Sequence, residues 1–121
     1  MIPSAVDRPE RWTLDAGEGD VALLDIPAVL HQERVFEIDV RFEVRHHGGD
    51  AAGWHALKVE LDGAQVWSRR LDTPADSVDS LDFHCRRTVP AGQPLRVRAL
   101  TAVAAGVARR RLHIEAESAQ L

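Results

Sequence analysis

Residues 35–45, which read V-F-E-I-D-V-R-F-E-V-R, constrain the fold of this chain more than any other segment. Its apolar side chains share one parity, at Phe36, Ile38, Val40, Phe42 and Val44. A helix would scatter these residues around its circumference, whereas side chains alternate between the two faces of a β-strand. The pattern therefore predicts a strand with one face in a core and the other in water.

Composition is that of a folded globular protein. The chain is 45% hydrophobic and 28% charged, and its 121 residues predict a single domain over residues 1–121. Residues 1–11, with Pro3 and Pro9 among polar residues, predict an extended lead-in to this β-sandwich domain. The single cysteine, Cys85, excludes an internal disulfide and a zinc site with several thiolates. The first residues resemble no signal peptide, and no apolar run approaches the ~20 residues of a membrane span. We therefore expect a reduced, cytoplasmic protein without a membrane partner.

Charge is distributed unevenly along the chain. Residues 1–50 hold 11 acids and 5 bases, whereas residues 86–121 hold 2 acids and 7 bases. The simplest interpretation is that the two ends meet across strands and neutralise each other. Every basic stretch of the sequence also shows apolar alternation, which is typical of a strand and not of a free basic arm, and the net charge is −4. We therefore expect no nucleic-acid partner.

An Asp-Gly pair, Asp62 and Gly63, separates two segments with alternating apolar side chains, 54–61 and 64–71. This dipeptide is typical of a two-residue hairpin turn, because both positions need a positive φ. The pattern therefore predicts a hairpin with an inner face formed by Leu57, Val59, Leu61 and Val66.

The opposite face of this hairpin is the main candidate for a ligand or partner site. The register places Lys58 beside Trp67, so the predicted site consists of Trp54, Lys58, Glu60, Trp67 and Arg69. Planar indoles stack on sugars or bases, and apolar patches commonly mark protein interfaces. Alternatively, the Trp12 segment or residues 22–34 cover this face and form a second core.

Residues 77–89 and 95–99 alternate as well, and the Pro-Ala-Gly between them predicts a three-residue turn with Gly92 in the left-handed position. This turn would place Cys85 opposite Val97. The outward residues would then form a basic face, with Arg86 opposite Arg96 and His84 opposite Arg98. Like charges side by side are unfavourable, so we expect a neighbouring strand or a partner subunit to supply acids there.

A glycine-rich loop with imidazole and carboxylate groups follows the strand over residues 35–45. Its candidate metal ligands are His46, His47, Asp50 and the nearby His55. These groups suit zinc or similar cations, but their spacing matches no fixed scaffold. A polar hairpin loop is the favoured interpretation.

The whole pattern is that of seven to eight short strands separated by turns, which predicts an all-β, antiparallel β-sandwich or jelly-roll-like fold. For residues 99–117 a final hairpin is favoured over a helix. The predicted core is Phe36, Ile38, Val40, Phe42, Val44, Leu57, Val59, Leu61, Leu81, Phe83, Leu95 and Val97. The order of turns and strands over residues 35–117 is similar to that of carbohydrate-binding β-sandwich modules, a resemblance that brings no ligand motif with it.

No residue pattern points to catalysis or to a cofactor. The chain lacks a serine elbow and a phosphate-binding glycine loop, and Cys85 falls on a core-facing parity, where thiols are usually inert. We therefore expect a non-catalytic interaction protein, which assembles as a homo-oligomer or with a partner protein through a sheet face. The alternatives are a carbohydrate or small-ligand module and, after it, a metal-binding accessory protein.

Overall fold

The structure is a computed structural model that describes residues 9–49 and 52–119. These residues form eight strands and no helix: β1 Arg11–Gly17, β2 Val21–Ile26, β3 Arg34–His46, β4 Gly53–Leu61, β5 Ala64–Thr73, β6 Ser77–Val89, β7 Leu95–Val103 and β8 Val107–Ser118. Within this part of the chain there is consequently no helix that could cross a membrane. The predicted lead-in lies largely outside the described residues, and its last residue, Arg11, already belongs to β1.

The strands form two antiparallel sheets of four, in the orders β1-β8-β3-β6 and β2-β7-β4-β5. Among these eight strands, β4 and β5 are the only consecutive pair that lies side by side in one sheet. Every other connection crosses from one sheet to the other. This topology is that of a jelly roll, and the predicted antiparallel β-sandwich fold is confirmed.

The core lies between the two sheets, and β3 runs through its centre. The inward side chains of β3 from Phe36 to Val44 are at most 1% exposed. The other predicted core residues are buried too, except Phe83, which is half-buried and packs against the core. Strand β8 adds three fully buried residues that were not in the predicted core, Leu112, Ile114 and Ala116.

The β4-β5 turn has the predicted geometry, with φ angles of 51° at Asp62 and 85° at Gly63. The predicted register is wrong beyond the first two pairs. A bulge opposite Val59 and Glu60 inserts Val66 as an extra residue, so Val59 pairs with Trp67. A bulge moves every later side chain of its strand to the opposite face. Trp67 therefore faces the core.

The predicted hairpin between β6 and β7 is also wrong. β6 pairs with β3 along its whole length, whereas β7 pairs with β2 and β4 in the other sheet. The connection does contain the positive φ expected at Gly92, 81°, but the Gly92 N–H donates to the Val29 carbonyl, 2.7 Å away. The glycine thus serves a crossing between sheets.

The segment after β7 forms a strand, as predicted, and no described residue in it is helical. β8 does not pair with β7, however. It lies between β1 and β3 in the opposite sheet, so the pairing expected of a final hairpin is wrong.

A buried arginine connects the start of β3 to the segment before β1. Arg34 is 5% exposed, and its guanidinium contacts the Glu10 carboxylate at 2.8 Å and donates to the Pro27 carbonyl at 2.8 Å. The same guanidinium lies over the Phe36 ring, 5.2 Å from its centroid. Glu10 therefore supplies the carboxylate for a cation inside the fold.

Candidate interaction surface

The outer face of the β2-β7-β4-β5 sheet carries apolar and basic side chains, together with the acids Asp25 and Glu60, which pair with arginines. We call it the groove face and define it by Val21, Leu23, Trp54, Ala56, Lys58, Arg70, Leu100 and Ala102. Strand register brings its apolar members together, because Val21 and Lys58 flank Leu100, and Ala56 lies opposite Ala102.

Strand β2 explains why this face is apolar. Its inward residues, Ala22, Leu24 and Ile26, are buried at 1%, 5% and 0% exposure. The alternate residues Val21 and Leu23 are also apolar, and each is 41% exposed. A strand with one solvated face normally carries polar residues there. The face thus presents apolar side chains to solvent.

A shallow groove of about 470 Å³ crosses the groove face. It is lined by Ala56, Leu57, Lys58, Ser68, Arg69, Arg70, Leu100, Thr101 and Ala102. Within the described part of the chain, this lining has an apolar floor and three cations but no carboxylate. Its chemistry suits a ligand or protein segment that is both apolar and negatively charged.

The predicted pair of exposed tryptophans does not form. Trp54 lies on the outer face, as expected, but the Arg70 guanidinium stacks 3.9 Å from its ring centroid. Trp67 faces inward and packs against Phe83, with 5.0 Å between ring centroids. The sequence did hold a signal for this, because Trp67 and Leu71 share a parity that Val66 lacks.

Of the five residues predicted for this site, Trp54, Lys58 and Glu60 share the outer face. Trp67 and Arg69 lie on the inward parity of β5, opposite Val59 and Leu57. Trp67 packs against the core, whereas Arg69 is exposed and lines the groove with Lys58. The alternative that another segment covers the face is wrong as well. Trp12 lies in the other sheet, and β2 extends the sheet sideways instead of covering it.

The predicted basic face is divided between the two sheets. His84 and Arg86 lie on β6, opposite Asp39 and Glu37 of β3, and the Arg86 Nε donates to Glu37 at 2.7 Å. The His84 ring contacts both of these carboxylates at 2.8 Å. The predicted opposition of His84 and Arg86 to other bases is therefore wrong.

The other two bases lie on β7 and are neutralised in the same way. Arg96 contacts Asp25 of β2 at 2.7 Å, and Arg98 contacts Glu60 of β4 at 3.3 Å. Neighbouring strands supply the acids, which agrees with the expectation of anionic neighbours. The register was wrong because sequence alternation assigns a face to each residue but not a neighbouring strand.

These ion pairs shift the pKa values of the groups involved. The hydrogen bond with Asp39 raises the pKa of His84, and the hydrogen bond from Arg86 lowers the pKa of Glu37. The hydrogen bond from Arg96 likewise lowers the pKa of Asp25. These groups are exposed, apart from the partly buried Glu37, so each pair contributes little to stability.

The histidines proposed as metal ligands are not gathered into a site. His46 ends β3 and is 2% exposed, His55 is fully buried on β4, and His47 lies in the exposed loop. The fourth candidate, Asp50, lies outside the described residues. In residues 9–49 and 52–119, no group of three or more His, Cys, Asp or Glu side chains could hold a metal ion.

His55 and His46 instead take part in packing. His55 Nδ1 lies 2.6 Å from the Thr73 hydroxyl, and its ring meets Phe42 edge-on at 6.4 Å. Burial lowers the pKa of His55. A Cβ at Gly53 would lie 2.8 Å from the Thr73 carbonyl and 3.1 Å from the His46 ring, so this close packing requires glycine.

Two features bear on catalysis. Cys85 is half-buried on the inner face of β6, and burial raises the pKa of its thiol. This disfavours the nucleophilic thiolate at neutral pH. The second feature, which the sequence did not predict, is a pair of facing carboxylates on β3 and β8, where Glu37 lies opposite Glu117 and Asp39 lies opposite Glu115.

No protein-family model matches this chain, and no curated protein sequence matches it significantly. Solved structures do match. The chain is similar to part of dimeric latent PorU from Porphyromonas gingivalis, with a TM-score of 0.55 and 8% identity over 92% of this chain and 13% of that chain. It is also similar to a chain of the T13 IBDV viral particle, with a TM-score of 0.50 and 11% identity over 91% of this chain and 31% of that one.

The chain therefore spans only a minor part of either protein. Eiger TNF from S. frugiperda matches at a TM-score of 0.48 and 10% identity, over 93% of this chain and 94% of that chain, which is too low for an argument. Identities in this range show a common fold and nothing about activity.

Proposed function

We propose that this protein is a non-catalytic interaction protein that binds a partner protein through its groove face. The observation that carries this proposal is the apolar strand β2, whose Val21 and Leu23 are each 41% exposed. Apolar side chains grouped on a sheet face commonly mark protein interfaces. Covering both residues would contribute about 1 kcal/mol each, taken as a fraction of full side-chain burial.

The charges of the groove face favour an acidic partner. Arg96 and Arg98 already pair with Asp25 and Glu60. Lys58 has no ion pair among the described residues, and Arg70 contacts an indole and no carboxylate there. Unpaired cations beside an apolar floor would attract a protein segment that carries both acidic and apolar side chains.

A carbohydrate ligand has less support than a protein partner. The two-indole platform that suggested it is divided by the β5 bulge, and Arg70 covers the remaining indole of Trp54. The fold is compatible with assembly, since the two similar structures come from a dimeric protein and a viral particle.

Site-specific photo-crosslinking tests the proposal. A photo-reactive amino acid replaces Leu23 on the groove face or, as the control, the exposed Thr13 on β1 of the other sheet. We expect a discrete protein adduct from position 23, several-fold stronger than from position 13. Adding Lys58→Glu and Arg70→Glu should reduce it, because reversed charge repels an acidic partner.

Three outcomes would contradict the proposal. Equal adducts at positions 23 and 13 would indicate contact without specificity for the groove face. An adduct that resists both charge reversals would remove the argument for an acidic partner. Adducts formed with a second copy of this chain alone would assign the face to self-association.

A further inference from the structure

The four edge strands of the sandwich differ in how well they are protected against pairing. β1 contains a register shift at Asp15–Gly17, β2 has six residues and is followed by Pro27, and β5 contains the bulge at Val66. Short strands, bulges and proline are the usual means of preventing pairing at a sheet edge. Three of the four edges described are therefore blunted.

The fourth edge strand, β6, has none of these features. It has 13 residues and pairs with β3 in unbroken register from Ser77 to Val89. It contains no glycine, proline or lysine. A long regular edge strand of this kind is a template for pairing with another strand.

Two hydrogen bonds identify the backbone groups of β6 that face the free edge. The Ala119 N–H donates to the Val35 carbonyl at 2.7 Å. The backbone N–H and C=O groups of the odd residues of β3 therefore point towards β8, and those of the even residues point towards β6. Even residues of β3 pair with odd residues of β6, which leaves the even residues of β6 at the free edge. Consistently, the Ser80 N–H donates to its neighbour Asp79 Oδ1 at 2.8 Å.

The side chains of β6 are self-complementary in the antiparallel sense. Its first half contains Asp79 and Asp82, and its second half contains His84, Arg86 and Arg87. Asp82, His84 and Arg86 also contact charged side chains of β3, but these contacts are exposed and would be shared with a second copy. An antiparallel second copy brings the acidic half of one strand against the basic half of the other. Opposite charges across a strand pair stabilise it.

The free edge and the charges together select one register. A two-fold axis at Phe83 pairs even residues with even residues, as the free edge requires, and places Asp82 opposite His84 of the second copy. The same register places Asp79 opposite Arg87 of the second copy. Centring on Asp82 or on His84 would oppose that residue to itself, and like charges in that position are destabilising. Centring on Leu81 or on Cys85 also pairs even residues with even residues, but it places no acid of β6 opposite a base.

Apolar contacts favour the same arrangement. Phe83 is half-buried at the side of the sandwich where β5 and β6 end the two sheets. At the two-fold axis its ring would meet Phe83 of the second copy in a pair without backbone hydrogen bonds, where side chains lie closest. The half-buried Cys85 would lie opposite Leu81 of the second copy.

We propose that two copies of this chain pair through β6 in antiparallel orientation, with the two-fold axis at Phe83. The product is a continuous eight-stranded sheet, β1-β8-β3-β6 followed by its symmetry mate. This interface is separate from the groove face and leaves it free in both copies. The inference therefore goes beyond the proposed function and does not depend on it.

Light scattering after size-exclusion chromatography, over a range of protein concentrations, tests the pairing. We expect the mass of the unchanged protein to rise from that of one 13.4 kDa chain to twice that value. Ser80→Pro removes an N–H that β3 does not use, and it should keep the protein at the mass of one chain. The matched control is Thr13→Pro, since Thr13 also faces a free edge, that of β1, and this variant should still form dimers.

Cysteine trapping tests the register without relying on a proline variant. In a Cys85→Ser background, Asp82→Cys and His84→Cys proteins are mixed and oxidised. We expect the mixture to form disulfide-linked dimers at least tenfold faster than either protein alone, because residue 82 lies opposite residue 84 of the second copy and neither residue lies opposite its own equivalent.

Several results would overturn the proposal. These are a one-chain mass at every concentration, a dimer that persists in folded Ser80→Pro protein, a dimer lost equally in Thr13→Pro, and equal disulfide rates in the mixture and the separate proteins. A failure of the groove-face crosslinks would leave all of these measurements unchanged, so the two proposals fail separately.

Discussion

Replacing Trp67 or Trp54 by alanine gives a direct test of the β5 bulge. Trp67 is half-buried against Phe83 and the core, so Trp67→Ala removes packing and leaves a partial cavity. Truncating a fully buried tryptophan to alanine lowers the free energy of unfolding by about 3–5 kcal/mol. For this half-buried ring we expect a loss of about 2 kcal/mol in the free energy of unfolding.

Trp54→Ala is the matched control. Trp54 lies on the outer face, where its main partner is the stacked Arg70 guanidinium. An exposed cation–π contact is worth about 0.5–1 kcal/mol. Without the bulge, the order of the two losses would not follow, because Trp67 would then face solvent beside Lys58.

Urea unfolding measures both losses. Backbone circular dichroism is the appropriate signal, since each variant lacks one of the three tryptophans. With m of about 1–3 kcal/mol/M, a loss of about 2 kcal/mol lowers the midpoint by roughly 1 M. Equal midpoints for the two variants, or a larger loss for Trp54→Ala, would refute the inward placement of Trp67.

Four further predictions follow from the fold. Phe42→Ala should lower the free energy of unfolding by about 3–5 kcal/mol in the same urea assay, because its ring is fully buried; a loss below about 1 kcal/mol would contradict the core assignment. Gly63→Val should destabilise clearly more than Gly63→Asn, since φ is 85° there and asparagine tolerates that region; thermal unfolding that ranks them equally would speak against this turn. Burial lowers the pKa of His55, so its contribution to stability is complete above about pH 6.5 and is lost as the pH falls below that value. The pKa of His84 is raised instead, so His84 contributes with the opposite sign, and weakly because it is exposed. His55→Gln should flatten the acid side of a curve of unfolding free energy against pH, and an unchanged curve would exclude burial of His55 as the cause. Nucleic-acid binding at two salt concentrations should be undetectable, because the bases of the predicted basic face are divided between the two sheets and paired with acids. Submicromolar affinity that weakens steeply with salt would show that these bases bind phosphate.

The strands of this fold could be predicted closely from the sequence, because alternation depends on local burial alone. The pattern of residues 35–45 predicted β3, and the bounds of β6 agree with prediction to the residue. Alternation predicts which side chains face the core. This prediction was correct for both Leu95 and Phe83, although the two residues lie in different sheets. Alternation does not predict which strands are neighbours. The same residues face the core whether the connecting turn forms a hairpin or crosses from one sheet to the other.

The candidate site was harder to predict for a related reason. One inserted residue, Val66, moves Trp67 and Arg69 to the other face while leaving the turn at Gly63 unchanged. The sequence on either side of a bulge satisfies both registers nearly equally well until the tertiary core selects one. Here Trp67 packs against Phe83 of β6, a contact between strands of different sheets that sequence alternation does not reveal.

The contact between Arg34 and Glu10 affects how the segment before β1 can be altered. A guanidinium that is 5% exposed cannot recover its hydration if the carboxylate is removed, and breaking one partner of a buried ion pair costs about 3–5 kcal/mol. Removing Glu10, by protease trimming or by the choice of a fusion junction, would therefore cost stability. In energetic terms the folded unit includes Glu10, although the first strand begins only at Arg11.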